Sequence, residues 1–198
     1  MQRNPVNCAL LDQAARLDVP DWWLTAGALF QTVWNVIDGR DPTAGIGDYD
    51  LFYFDDTDLS WDAEDAVIRR AAKLFADIQP VVEVRNEARV HLWYEQRFGV
   101  PAEPFTSTTD AVDHFASTTC CYAVTRDSHG RLQVYAPHGY DDRFCAASAS
   151  ESSAGPTRDL RTQSCTLVQP VARSDRRPMA GEPTRVPSPV TDSELDRS

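Results

Sequence analysis

The sequence predicts a folded domain of the α/β or α+β class. Segments in which apolar residues recur at helical spacing alternate with short segments rich in β-branched and aromatic residues. Hydrophobic residues make up 42% of the 198-residue chain, which is enough for a buried core. Alternation of helices and strands is typical of a sheet covered by helices.

The first elements alternate as this class requires. Apolar spacing predicts a helix over Pro5–Leu17, and "WWLTAG" predicts a short buried strand that ends at Gly27. The segment "ALFQTVWNVIDG" returns to helical spacing and ends at Gly39, a residue that commonly terminates helices. After a loop, the aromatic-rich "DYDLFYF" predicts a second strand over 48–54.

The longest predicted helix follows Asp58, which is a candidate N-cap. It covers "LSWDAEDAVIRRAAKLFADI", and Pro80 follows it. Its predicted apolar side comprises Trp61, Ile68, Ala72 and Phe75.

The remaining elements predict a third strand, a short helix and a hairpin. "VVEVRN" is β-branched and alternating, which predicts a strand over 81–86. Segment 87–101 mixes strand-like and loop-like signals, so its structure stays open. "STTDAVDHF" begins with hydroxyl residues that can cap a short helix. "CCYAVT" and "RLQVYA" predict a β-hairpin, in which Gly130 supplies a permissive turn residue.

The chain changes character near residue 145. From Cys145 onward it is rich in Ser, Arg and Pro and has no periodic apolar stripe. Burial there cannot offset an ordering entropy of about 1 to 2 kcal/mol per residue. We therefore expect a domain over residues 1–144 and a low-complexity, disordered tail over residues 145–198.

The charge distribution disfavours one class of partner. Residues 1–144 carry 12 basic and 23 acidic side chains, and the whole chain has a formal charge of -11. Long nucleic acids bind largely through cationic neutralisation of phosphates, so we do not expect DNA or RNA as a partner.

Two further features of the sequence bear on the compartment. No run approaches the 18 apolar residues of a membrane span, so no membrane association is expected. The five cysteines are odd in number and include no C-x-x-C pair, which indicates neither a disulfide framework nor a zinc site. These features favour a reducing cytoplasm.

Three acidic residues form the candidate chemical site. Asp48 and Asp50 share one face of the predicted second strand, about 6 to 7 Å apart, and two hard oxygen ligands suit Mg²⁺. Glu83 lies between valines on the third strand, and it joins the pair if the two strands are neighbours. Three carboxylates can hold two metal ions for phosphoryl transfer. The alternative is a strand entrance whose acids are solvated, with Glu83 on a solvent-exposed edge.

Glycine and basic residues near these acids could hold phosphates. The absence of a side chain at Gly27 would let phosphate oxygens approach the backbone N–H groups at the start of the following helix. Arg85, Asn86, Arg89 and His91 form a polar cluster after the third strand. They fit either phosphate contacts or surface salt bridges.

The blocks "LTAGALFQTVWN", "GIGDYDLFYFD", "VEVRNEARVHLWYE" and "VYAPHGYDD", in this order, resemble a bacterial nucleotidyltransferase-like family of the DNA polymerase β nucleotidyltransferase superfamily. The resemblance covers about residues 5 to 144. It implies a nucleotidyltransferase-like fold, with a small mixed sheet flanked by helices. It also implies Mg²⁺ as the cofactor and a nucleoside triphosphate as co-substrate.

The resemblance also assigns roles to residues. It places the phosphate-binding turn at Gly27 and the acid-x-acid strand at Asp48 and Asp50, with the third acid at Glu83. The catalytic and metal-binding residues would accordingly be Asp48, Asp50 and Glu83. The nucleotide-binding residues would be Gly27, Ala28, Gln31 and Arg85.

Three features depart from the family pattern. Ala28 stands in place of the usual second glycine or serine of the turn, and Glu87 stands where glutamine is more frequent. The third is the tail, where the family would continue with ordered chain.

The function that follows is Mg²⁺-dependent transfer of a nucleoside monophosphate to a hydroxyl of a small molecule or protein. One alternative is a non-catalytic nucleotide- or protein-binding module on a degenerate version of the same fold. Another is a phosphatase, because "LFYFDDTDLS" resembles the haloacid dehalogenase phosphatases. That mechanism needs a downstream cation, and the chain's one lysine, Lys73, lies inside the long predicted helix.

Overall fold

The computed structural model of the protein describes residues 2–139, so the predicted tail over residues 145–198 lies outside the described residues. The chain forms helices and strands in the alternating order that the sequence predicts. The helices are α1 (Pro5–Gln13), α2 (Gly27–Ile37), α3 (Trp61–Leu74), α4 (Val90–Phe98) and α5 (Thr108–Asp113), with short 3-10 helices at Ala14–Leu17 and Glu87–Arg89. The strands are β1 (Trp23–Thr25), β2 (Tyr49–Tyr53), β3 (Val82–Asn86), β4 (Ala123–Arg126) and β5 (Leu132–Tyr135).

The strands form one five-stranded mixed sheet in the order β3-β2-β1-β4-β5. β2 and β3 pair in parallel, with Asp50 opposite Glu83. Such a pair needs a crossover connection, which α3 provides. The other strand pairs are antiparallel, and β4 and β5 form the predicted hairpin. The structure confirms the predicted α+β class and the small mixed sheet flanked by helices.

The two faces of the sheet are different. On the first face, Tyr49, Leu51 and Tyr53 of β2 are buried in the main core, which α1, α2 and α3 also line. On the second face, Phe52 packs in a smaller cluster with residues of α2 and α5. Because side chains alternate along a strand, Asp50 points to the second face. The second face therefore carries the candidate site.

Buried hydrogen bonds join α1 and α2 to the start of β2. The side chain of Asn4 caps α1 by accepting from the N–H groups of Val6 and Asn7. The same side chain donates to Thr32 Oγ1 of α2 at 2.8 Å and to the Tyr49 hydroxyl at 3.4 Å. These bonds fix the point at which β2 enters the sheet, next to Asp48 and Asp50.

Two predicted details of α3 are wrong. The N-cap is Ser60, whose Oγ accepts from Ala63 N at 3.2 Å, whereas Asp58 accepts from the Ser60 N–H. The buried side comprises Glu64, Val67, Ala71 and Phe75, while Trp61 is 60% exposed. The sequence pattern failed here because one member of the buried side is a charged residue.

We expect Ser60→Ala to destabilise the protein by about 1 kcal/mol, since an N-cap hydroxyl satisfies an otherwise unpaired helical N–H group. Urea unfolding would measure the loss, and Ser60→Asp, which can also cap, should recover most of it. An alanine variant as stable as the wild type would show that the cap does not contribute.

Segment 87–101, which the sequence left open, forms a 3-10 helix over Glu87–Arg89 and then α4. Among the described cysteines, Cys8 is partly exposed and Cys121 is buried. No helix within residues 2–139 has the length and apolar character needed to cross a bilayer.

Candidate active site

The structure brings the three predicted carboxylates together. Asp50 of β2 and Glu83 of β3 are register partners on adjacent parallel strands, so their side chains lie side by side on the second face. Asp48 lies in the segment that leads directly into β2. Both Asp48 and Glu83 act electrostatically on Asp50, which places all three acids in one cluster.

The electrostatics of the cluster favour a bound cation. Burial, followed by the negative charges of Asp48 and Glu83, raises the pKa of Asp50 to about 8, against the opposing effect of Arg85. A carboxylate with too little positive charge around it resists ionisation. A divalent cation would reverse this effect, since opposite charge stabilises the ionised form.

The donor set fits Mg²⁺ in its chemistry. Mg²⁺ prefers carboxylate, phosphate and water oxygens, and it usually takes only one or two carboxylates directly. Within residues 2–139, however, no three His, Cys, Asp or Glu side chains stand in an arrangement that could already hold a metal ion. Side-chain rotation and oxygens from a nucleotide or water would therefore have to complete the coordination.

The start of α2 offers a place for an anion. β1 ends at Thr25 and α2 begins at Gly27, so a single residue, Ala26, makes the turn. Thr25 is the register partner of Asp50, so α2 begins two residues after the point where β1 lies beside Asp50. The unpaired N–H groups of a first helical turn attract phosphates, and this helix presents them beside the acids.

The geometry of this turn differs from the prediction in one respect. The residue with a positive φ is Ala26, at φ 57° and ψ -135°, whereas Gly27 is the first residue of α2. Such a conformation costs a non-glycine residue on the order of 1 to 3 kcal/mol and is concentrated at functional sites. A Cβ at Gly27 would meet no atom within 4 Å, so the space in front of the helix is open.

Two of the predicted nucleotide-binding side chains point elsewhere. Ala28 is fully buried in the main core, so its side chain does not contact a nucleotide. Gln31 Nε2 donates to Asn35 Oδ1 at 3.0 Å, along its own helix. A contact between Gln31 and a nucleotide would have to replace that bond.

Arg85, which the resemblance assigned to nucleotide binding, lies among the acids. Its Nη1 donates to the carbonyl of Val84 at 3.1 Å, and its Nη2 lies 3.6 Å from Glu83 Oε2. Its positive charge lowers the pKa of both Asp50 and Glu87. Arg85 is therefore a shared counter-ion of the cluster.

The polar cluster predicted after the third strand divides by role. Asn86 donates to the carbonyl of Asp55 at 2.7 Å and accepts from its N–H at 3.0 Å, which joins the ends of β2 and β3. Arg89 forms an ion pair with Glu64 of α3, and Glu64 also accepts from the Asn86 N–H at 3.0 Å. Asn86 and Arg89 thus hold β3 against its neighbours.

Glu87 is an additional member of the cluster. It is fully buried, and neither carboxylate oxygen has a hydrogen-bond partner within the described chain. Burial, followed by the charge of Asp50, raises its pKa to about 8, against the opposing effect of Arg85. The sequence marked Glu87 only as a departure from the family pattern, although an acid directly after a buried strand was a signal for it.

Thr25 was missed by the sequence analysis. It is fully buried, and its Oγ1 has no hydrogen-bond partner in the part of the chain that the structure describes. It is the register partner of Asp50, on the opposite side of β2 from Glu83. A hydroxyl residue in an otherwise apolar strand, "WWLTAG", was the available signal.

Comparison with known proteins agrees with this geometry. A family model described as nucleotidyltransferase matches residues 12–159. One solved structure, an NMR structure that reveals a CCA-adding enzyme head domain, superposes with a TM-score of 0.59 at 21% sequence identity, covering 72% of this chain and 70% of that one. At this identity the likeness shows the fold alone. No curated protein matches the chain significantly.

Proposed function

This chain belongs to the nucleotidyltransferase family, and on that premise we propose that it is a Mg²⁺-dependent enzyme. In this proposal it transfers a nucleoside monophosphate from a nucleoside triphosphate to a hydroxyl group of a small molecule or a protein. The observation that carries the proposal is the register of Asp50 with Glu83, beside Asp48 and the open N-terminus of α2.

Each residue of the cluster has a role in this reaction. Asp48, Asp50 and Glu83 would hold Mg²⁺, which supplies charge neutralisation on the phosphates and activation of the attacking hydroxyl. Glu83 also orients or deprotonates the acceptor hydroxyl. The N–H groups at Gly27 and Ala28 would hold phosphate oxygens, so that the reacting phosphorus faces the carboxylates.

The charge of the domain bears on the acceptor. An excess of acidic side chains over residues 1–144 repels a polyanion, which supports a small-molecule or protein acceptor over long RNA or DNA.

A non-catalytic module that binds nucleotide or a partner protein is the second candidate. It is supported by the absence of a ready-made metal arrangement within residues 2–139 and by the buried side chain of Ala28. Such a module would bind nucleotide without forming a product.

A panel of ATP, CTP, GTP and UTP, each with and without Mg²⁺, tests both candidates. A nucleotide at 100 times its dissociation constant adds about 2.7 kcal/mol to the free energy of unfolding, which raises the melting temperature. A Mg²⁺-dependent shift, together with release of pyrophosphate from the nucleoside triphosphate as its nucleoside monophosphate is joined to an acceptor hydroxyl, supports the enzyme. A shift in melting temperature without product favours the module. If no nucleotide shifts the melting temperature, both the enzyme and the nucleotide-binding module are contradicted.

We expect Gly27→Leu to weaken nucleotide binding at least about tenfold without loss of stability. The added side chain would enter open space in front of α2, where no protein atom lies within 4 Å of a Cβ, and would exclude the phosphates. Removing their contact with the helix N-terminus costs affinity, while the fold loses no packing. Gly27→Ala is the graded control, because a single methyl group fills far less of that space. Unchanged affinity in the leucine variant would place the phosphates elsewhere.

A further inference from the structure

We propose that Thr25 is a positioning residue of the site, whose hydroxyl donates a hydrogen bond to the carboxylate of Asp50 when nucleotide is bound. The inference rests on the proposed function, and it adds a residue from a third strand, β1, to the carboxylates of β2 and the neighbouring β3. It starts from one anomaly: Thr25 is fully buried, yet its Oγ1 has no partner within residues 2–139.

A buried hydroxyl without a partner is costly, and most such groups in native proteins are hydrogen-bonded. Thr25 lies between two strands, so its cross-strand neighbours are Asp50 of β2 and Ala123 of β4. The methyl side chain of Ala123 cannot accept a hydrogen bond. Along β1, Trp23 uses its indole N–H to donate to Asp21 and has no acceptor, and Gly27 has no side chain.

Asp50 is therefore the side-chain acceptor that the register offers. Cross-strand partners on one face have Cβ atoms about 4.5 to 5.5 Å apart, and rotation about the Cα–Cβ bond of threonine moves its hydroxyl between staggered positions. A hydrogen bond from the hydroxyl to one carboxylate oxygen of Asp50 would fix the rotamer of Asp50. The second carboxylate oxygen would then point away from Thr25, towards Asp48, Glu83 and the start of α2.

The bond matters because Asp50 has little else to orient it. Asp48 and Glu83 repel its charged form, and within residues 2–139 Arg85 supplies the opposing positive charge. A ligand that must hold a cation in defined geometry gains from a hydrogen bond that fixes its rotamer.

The test uses two substitutions at one position. Thr25→Val replaces the hydroxyl by a methyl group of similar size, and Thr25→Ser keeps the hydroxyl. We expect the valine variant to lower kcat about tenfold or more, with little change in KM for the nucleotide. We also expect it to need more Mg²⁺ for half of the nucleotide-dependent rise in melting temperature, whereas the serine variant stays near the wild type.

Thr125→Val is the matched control, since Thr125 is also buried and lies on β4, which is not paired with β2. A valine variant with wild-type kcat and Mg²⁺ dependence overturns the inference, as does equal impairment of the valine and serine variants. A wild-type protein that neither binds nucleotide nor forms product overturns the proposed function, and the inference falls with it. If the wild type is active and the Thr25→Val variant is unimpaired, the inference about Thr25 is wrong while the proposed function stands.

Discussion

Asp50→Asn is expected to lower nucleotidyl transfer by at least about a thousandfold while leaving the protein as stable as the wild type or more stable. The amide keeps the shape of the side chain but removes the charge that would bind Mg²⁺ between Asp48 and Glu83. Losing one such electrostatic contribution to a phosphoryl-transfer site costs on the order of a hundredfold to a thousandfold or more in rate.

The expected stability of Asp50→Asn distinguishes a loss of catalysis from a loss of folded protein. Asp50 is partly buried and its pKa is raised to about 8, so its ionised form opposes folding in the absence of a cation. A neutral asparagine removes that cost. Transfer of labelled nucleotide and urea unfolding would be measured on the same preparation, and Asp56→Asn, at an exposed position in the loop after β2, is the control. Transfer at the wild-type rate would contradict the assignment of the site.

Glu87→Gln is expected to raise stability at pH 8 by roughly 2 to 4 kcal/mol when divalent cations are removed. Burial and the charge of Asp50 raise the folded-state pKa of Glu87 from 4.5 to about 8, against the opposing effect of Arg85. The folded protein therefore binds a proton that the unfolded chain releases above pH 4.5. The stability that depends on this proton is complete below pH 4.5 and is lost as the pH rises towards 8.

Urea unfolding of the wild type and of Glu87→Gln between pH 4.5 and 8 would measure this effect. The wild type should lose stability across the window, and the glutamine variant should lose less, since the amide does not titrate. Glu95→Gln, at an exposed position of α4, controls for a general effect of net charge. Parallel stability curves for the wild type and Glu87→Gln would show that Glu87 does not titrate in this window.

The parts of the fold that the sequence predicted are those with a local signal. The alternating and aromatic pattern around Asp50, the valines flanking Glu83 and the glycine of the hairpin turn each predict their own element without reference to the rest of the chain. The sequence alone could not predict that β3 pairs in parallel with β2, because this pairing depends on where the chain re-enters the sheet after α3. The structure supplies that register, with Asp50 opposite Glu83.

The misses have physical reasons as well. The buried side of α3 includes Glu64, whose charge is neutralised by Arg89, and a hydrophobic pattern cannot anticipate a buried ion pair. Ala26 adopts a positive φ, which sequence rules assign to glycine. Thr25 gave only a weak local signal, a hydroxyl residue in an apolar strand, and the role proposed for it depends on Asp50, its partner across the sheet.

The pairing of β2 with β3 also ties the site to the order in which the chain folds. Asp50 and Glu83 become neighbours only after α3 has formed and the chain has closed a long loop, which is a slow, late type of event. An intermediate in which β1 and β2 are paired but β3 is undocked would contain Asp48 and Asp50 at the sheet without Glu83 beside them. A cation or nucleotide that binds the complete cluster would therefore favour the last docking step and would slow its reversal.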